Sequence, residues 1–184
     1  MYEVEVKVRA DHDAVRERLA ELGADSVNEV AQEDTYYDAP HREFAETDEA
    51  LRVREETPAE GEQATELTYK GPLVEAESKT RREIETAVED GDAADAILSA
   101  LGFDPAATVR KERERFAVGG YTVTLDSVEG LGEFVEVETE AEDDIESARE
   151  GAFAVLRDLG LDPGDQIRTS YLGLLLEKDA DGSE

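Results

Sequence analysis

Eight stretches of this chain alternate polar and apolar residues with a period of two, and no other feature restricts the fold as tightly. They cover residues 2–9, 29–38, 50–56, 65–71, 80–88, 108–118, 121–128 and 133–139. Gly119-Gly120 between the sixth and seventh is a two-residue hairpin signal. Residues 11–22, 92–101 and 143–159 read as helices, each stopped by a glycine: Gly23, Gly102 and Gly160. A short helix is expected over residues 165–177, and 178–184 reads as a polar tail. Strands joined mostly by hairpins, with a few helical excursions, predict an α+β, mainly β fold. Its centre is a closed eight-stranded antiparallel β-barrel with flanking helices, one domain over residues 1–177.

Residues i, i+2 and i+4 of a strand share a face. Glu3, Glu5, Lys7 and Arg9 oppose Tyr2, Val4, Val6 and Val8; Arg52 and Arg54 oppose Leu51 and Val53. Lys70, Arg81, Lys111, Arg113 and Arg115 fall on the polar faces of their own strands. These faces hold nine of the 19 Lys and Arg in a chain with 49 Asp and Glu and a net charge of −30. A solvated face of such a protein should be acidic like the rest of its surface. Concentrating scarce cations there predicts that the polar faces line a lumen, with the apolar faces outside under the helices. A cation-lined lumen is costly unless an anion enters it. Arginine and lysine suit a polyphosphate, and interleaved carboxylates suit a hard divalent ion, Mg²⁺ or Mn²⁺, shared with phosphate oxygens. For any single strand, an ordinary wet face explains the same alternation.

The charge argues against nucleic acid or an anionic membrane as partner, since both need a positive surface. With no Cys and only His12 and His41, thiol chemistry and a three-histidine zinc site are excluded. Both histidines read as solvated. The charged start and the brevity of the apolar run at 172–176 predict neither a signal peptide nor a membrane span, hence a cytoplasmic protein. A surface this acidic suits a cytosol of very high salt, as in a haloarchaeon.

Glu3-Val4-Glu5-Val6-Lys7 resembles the ExExK signature of the CYTH superfamily, the triphosphate tunnel metalloenzymes. The resemblance continues in order through Asp34 to Asp38, Leu51-Arg52-Val53-Arg54, Lys70-Gly71-Pro72, Arg81-Arg82-Glu83-Ile84-Glu85, Lys111-Glu112-Arg113, Asp126 and Glu136-Val137-Glu138, as far as Tyr171. It is greatest for the class IV adenylate cyclase branch. The resemblance implies metal ligation by Glu3, Glu5, Asp126, Glu136 and Glu138, and a triphosphate grip by Lys7, Arg52, Arg54, Lys70, Lys111 and Arg113. Arg81, Glu83 and Glu85 follow less directly, because Arg81-Arg82 leaves open which arginine points inward. The implied substrate is a small triphosphate: ATP in a cyclase, inorganic or thiamine triphosphate in a hydrolase. The His-Phe pair that bacterial class IV cyclases often carry before ExExK has no counterpart in Met1-Tyr2, which leaves both reactions open. A sensor that binds without turnover, or a ligand-free β-domain, would present the same strands. No residue stands out in the sequence as a general base.

Overall fold

A computed structural model describes residues 1–182. Eight strands form one closed barrel: β1 (Tyr2–Arg9), β2 (Asp25–Asp38), β3 (Ala50–Pro58), β4 (Ala64–Leu73), β5 (Lys79–Val88), β6 (Asp104–Val118), β7 (Tyr121–Val128) and β8 (Gly132–Ala141). Neighbours run β1-β5-β4-β3-β2-β6-β7-β8 and back to β1, with every pairing antiparallel. Closure removes the sheet edges and gives each strand an inner and an outer face.

Helices cover much of the outer apolar surface, although Ile84 of β5 stays exposed. Val6 and Val8 of β1, Val123 and Leu125 of β7, and Val135 and Val137 of β8 pack on Val15 and Leu19 of α1 (His12–Glu21). The same cluster takes in Ala152, Val155 and Leu156 of α4 (Ile145–Asp158). Tyr121 fits beneath α4 because residue 151 is glycine: a Cβ there would overlap the tyrosine hydroxyl, which donates to the Ala148 carbonyl at 3.1 Å. Leu98 of α3 (Gly91–Ala100) covers Tyr37 and Val53. Asp11, Asp90 and Asp144 cap these three helices, each accepting a backbone N–H in the first turn. Gly119 and Gly120 take φ of +54° and +87°, as the tight β6–β7 hairpin requires.

Several boundaries differ from the sequence reading. β2 and β6 extend four residues further toward their N-termini than expected, and they pair with each other along their length. A four-residue helix, α2 (Phe44–Thr47), interrupts the β2–β3 connection. The last helix, α5 (Tyr171–Asp181), starts six residues later than expected and takes in part of the supposed tail; a 3₁₀ turn at Pro163–Asp165 precedes it. Ser183 and Glu184, the end of that tail, lie outside the described residues. His12 is not solvated: its ring is buried, with Nε2 placed 2.9 Å from the Phe134 carbonyl oxygen that accepts its proton. No helix among the described residues is long and apolar enough to cross a membrane.

Candidate active site in the barrel lumen

The inner faces enclose a cavity of roughly 360 Å³. Nine cations line it: Lys7, Arg52, Arg54, Lys70, Lys79, Arg81, Lys111, Arg113 and Arg115. Glu3, Glu5, Glu136 and Glu138 line it too. All seven cations expected to grip a triphosphate are thus gathered in one space. Of the double arginine, Arg81 points inward and is buried, while Arg82 is exposed. Lys79 has the parity of Arg81 and belongs to the same wall; β5 begins one residue earlier than its alternation suggested. Arg9 shares the phase of Glu3, Glu5 and Lys7 but lies beyond the lumen. It donates to the Leu131 carbonyl at 2.9 Å and stacks on Phe134.

Barrel register decides which charges meet. Asp34 of β2 is paired with Arg54 of β3, and Arg113 of β6 with Asp126 of β7. Both pairs are bidentate. Arg54 Nε and Nη2 donate to Asp34 at 2.6 and 2.7 Å, and Arg113 donates to the two Asp126 oxygens at 2.7 and 2.5 Å. Arg113 also donates to Glu136 at 2.6 Å. The Asp126 carboxylate is fully buried and accepts from the Tyr171 hydroxyl at 2.9 Å. Asp126 and Glu136, which the family resemblance would put among the metal carboxylates, are therefore both engaged with Arg113. Burial works against the charged form of Glu136, but Arg113, Lys7 and Lys111 hold its carboxyl far below the usual range.

Other cations are held more loosely. Lys7 Nζ is 3.8 Å from Glu5 and 3.9 Å from Glu136, and Lys111 Nζ is 3.8 Å from Asp126. Arg52 reaches Asp34 at 3.6 Å and Glu85 at 3.8 Å, and its Nε has no hydrogen-bond partner. Apart from a hydrogen bond between Arg52 and Tyr36, these separations exceed hydrogen-bonding range, so Lys7, Lys111 and Arg52 Nε keep donors available to a guest. Burial, with Arg113 and Arg54 nearby, lowers Lys111 to about 7, although Asp126 and Asp34 oppose the shift. A polyanion would reverse that depression. Gln32 Oε1, Glu83 Oε2 and Thr124 Oγ1 are also buried without a hydrogen-bond partner, but none of the three lines this cavity. Near Lys79 and Arg81 the carboxylate of Asp48 serves as a built-in anion: Arg81 donates to its side chain at 3.2 Å and to its backbone carbonyl at 2.5 Å. Asp48 is the one non-glycine residue with positive φ among the described residues, at +55°.

Glu3, Glu5 and Glu138 bring carboxylate oxygens within 4.8 Å of one another. Strand pairing explains this: Glu5 sits opposite Glu138 across β1 and β8, and Glu3 is two residues along the same face. Burial first, then Glu3, Glu136 and Glu5, push Glu138 up to about 7 against the pull of Arg113. A trio of crowded, partly dehydrated carboxylates is a donor set for a hard divalent cation, which would remove the repulsion it carries.

A CYTH domain family model matches residues 1–171. A Methanocaldococcus jannaschii protein provisionally named an adenylate cyclase is 39% identical over 177 residues, 95% of this chain and 98% of that one. The adenylate cyclase CyaB of Aeromonas hydrophila is 34% identical over 145 residues, 78% of this chain and 71% of its own. A Pyrococcus horikoshii protein of solved structure superposes with a TM-score of 0.89 at 43% identity, covering 96% of this chain and 99% of the other.

Proposed function

This chain belongs to the CYTH domain family, and from that premise we propose that it is a divalent-metal-dependent enzyme acting on a triphosphate held in the barrel lumen. The leading reaction is the class IV cyclase one, ATP to cyclic AMP and pyrophosphate. Hydrolysis of inorganic or thiamine triphosphate is the alternative. The observation that carries the reading is the convergence of nine cations in one lumen beside a carboxylate trio, in a chain whose net charge is −30. The names of the Methanocaldococcus and Aeromonas relatives favour the cyclase over the hydrolase. We place the enzyme in the cytoplasm of a cell rich in salt.

The cations divide by how they are held. Arg54 and Arg113 are fixed by Asp34, Asp126 and Glu136 and supply a rigid frame of guanidinium groups. Lys7, Arg52 and Lys111 keep donors for phosphate oxygens. Glu3, Glu5 and Glu138 fit Mg²⁺ or Mn²⁺, which when bound supplies charge neutralisation and polarises a phosphoryl oxygen. In the cyclase, the 3′-hydroxyl loses its proton to solvent, its oxygen attacks the α-phosphorus and pyrophosphate departs; in the hydrolase, water attacks the terminal phosphorus, its proton passes to solvent, and pyrophosphate or thiamine diphosphate departs with phosphate as the other product. Either way negative charge moves onto oxygens that pre-oriented lysines and arginines already face, so little reorganisation accompanies the transfer.

The test is turnover of ATP, inorganic triphosphate and thiamine triphosphate in molar KCl with Mg²⁺ or Mn²⁺. Cyclic AMP from ATP selects the cyclase, and phosphate from either other substrate selects the hydrolase. Saturable triphosphate binding with no product from any of the three would make the protein a binder and end the enzymatic reading. Within it, Arg52→Gln is expected to weaken inorganic triphosphate binding by about 1.5–3 kcal/mol, roughly ten- to a hundredfold by titration calorimetry. An unchanged affinity would remove Arg52 from the grip.

A further inference from the structure

α5 delivers one aromatic ring to the cation-rich end of the lumen. Tyr171 is the first residue of that helix, buried, and set edge-on against Phe134 with ring centroids 5.0 Å apart. Its hydroxyl donates to Asp126. Two lysines lie over its ring: Lys7 Nζ is 4.3 Å and Lys111 Nζ 5.0 Å from the ring centroid. Neither lysine has a carboxylate within hydrogen-bonding distance, the shortest separations being 3.8 Å. A buried ammonium that lacks a close ion pair needs another partner to hold its place. The ring provides one while leaving further N–H donors of each ammonium unfilled.

We propose that Tyr171 is a positioning residue that holds both Lys7 and Lys111, with donors left unfilled, for the anionic end of the substrate. The inference rests on the triphosphate reading for its ligand, but the placement of the two lysines is a property of the protein alone. A carboxylate in place of the ring would also hold the ammoniums. It would, however, fill their donors and repel a phosphate. Tyr171 thereby gives the tunnel a cation pair with unsatisfied donors, which the bidentate Arg54–Asp34 and Arg113–Asp126 pairs do not. The alternation of the strands does not reveal this residue, because it comes from a helix.

Two measurements on the full-length protein test the inference. The side-chain Hε resonances of Lys7 and Lys111, recorded without ligand, should be shifted upfield by the ring current in the wild type and in Tyr171→Phe. In Tyr171→Leu, which retains apolar bulk, they should return to ordinary lysine positions. Inorganic triphosphate should bind Tyr171→Phe about two- to threefold more weakly than wild type, and Tyr171→Leu about tenfold more weakly or worse. Ordinary Lys7 and Lys111 shifts in the wild type would overturn the proposal. So would a folded Tyr171→Leu variant that binds triphosphate as tightly as the wild type. If wild type binds no triphosphate while both lysines show the ring-current shift, the substrate reading fails and the positioning geometry stands. Should Tyr171→Leu not fold, the wild-type shifts and Tyr171→Phe still decide the matter.

Discussion

Asp34→Ala is expected to lower the unfolding free energy by about 3–5 kcal/mol, the range for removing one partner of a buried ion pair. Asp34 is 1% exposed, takes both hydrogen bonds of Arg54 and lies 3.6 Å from Arg52. Without it, two buried guanidiniums face each other with Lys111 nearby, and water cannot readily compensate. The carboxyl's acidity carries the same information. Burial alone would raise it, but Arg52 and Arg54 overcome burial and hold it far below the ordinary carboxylate range. A depressed folded-state pKa means that the stabilisation is complete above the unfolded value, about 4, and is lost as pH falls below it. Urea unfolding of wild type and variant should therefore differ most near neutrality, and the difference should shrink progressively below about pH 4. Because the surplus charge in Asp34→Ala is positive, inorganic triphosphate should raise its thermal midpoint by more than it raises that of wild type. A loss under about 1 kcal/mol would place the pair in the class of solvent-screened ion pairs and remove the rigid frame assigned to Arg54.

The barrel wall was legible because alternation and scarcity coincide. In a chain this acidic, a strand that spends lysine and arginine on one face declares that face unusual, and Lys7, Arg54, Lys70, Lys111 and Arg113 all do converge. Residues whose position depends on strand ends or on other elements were harder to read. Lys79 has the right parity but sits just outside the alternating run, and Arg9 has the right parity but projects past the end of the lumen. His12 looked like a first-turn surface residue because nothing local reveals that the Phe134 carbonyl, 122 residues away, accepts a hydrogen bond from its ring. Tyr171 and Asp48 enter the lumen from a helix and a connection, where no period marks them. The carboxylates expose a different limit. Asp126, Glu136 and Glu138 alternate alike, yet the first two accept from Arg113 and the third approaches Glu3 and Glu5. A carboxylate satisfied by arginine and one crowded against other carboxylates look the same until the register with neighbouring strands is known.

That distinction gives Glu138→Gln an expected effect of opposite sign in two states. Without metal, the variant should be as stable as wild type or more stable, because it removes one of three carboxylates held within 4.8 Å and the one most burdened by its neighbours. With metal, it should be worse. A neutral amide is a poorer ligand for a hard cation, and the lost charge is expected to weaken Mn²⁺ or Mg²⁺ binding by about tenfold or more. Thermal unfolding in molar KCl with and without Mn²⁺ reads both arms together. Wild type should gain midpoint on adding Mn²⁺, by mass action on the folded state, and Glu138→Gln should gain much less from a higher or equal start. Turnover of the preferred triphosphate should fall by about a hundredfold, the loss typical when a group that stabilises transferring charge is removed. Asp126→Asn provides the contrast. Its partner is Arg113, so it should destabilise the metal-free protein, the reverse of Glu138→Gln. If both variants destabilise the metal-free protein equally and neither alters the Mn²⁺ response, the trio is a set of ordinary tunnel carboxylates and the divalent ion must be held elsewhere.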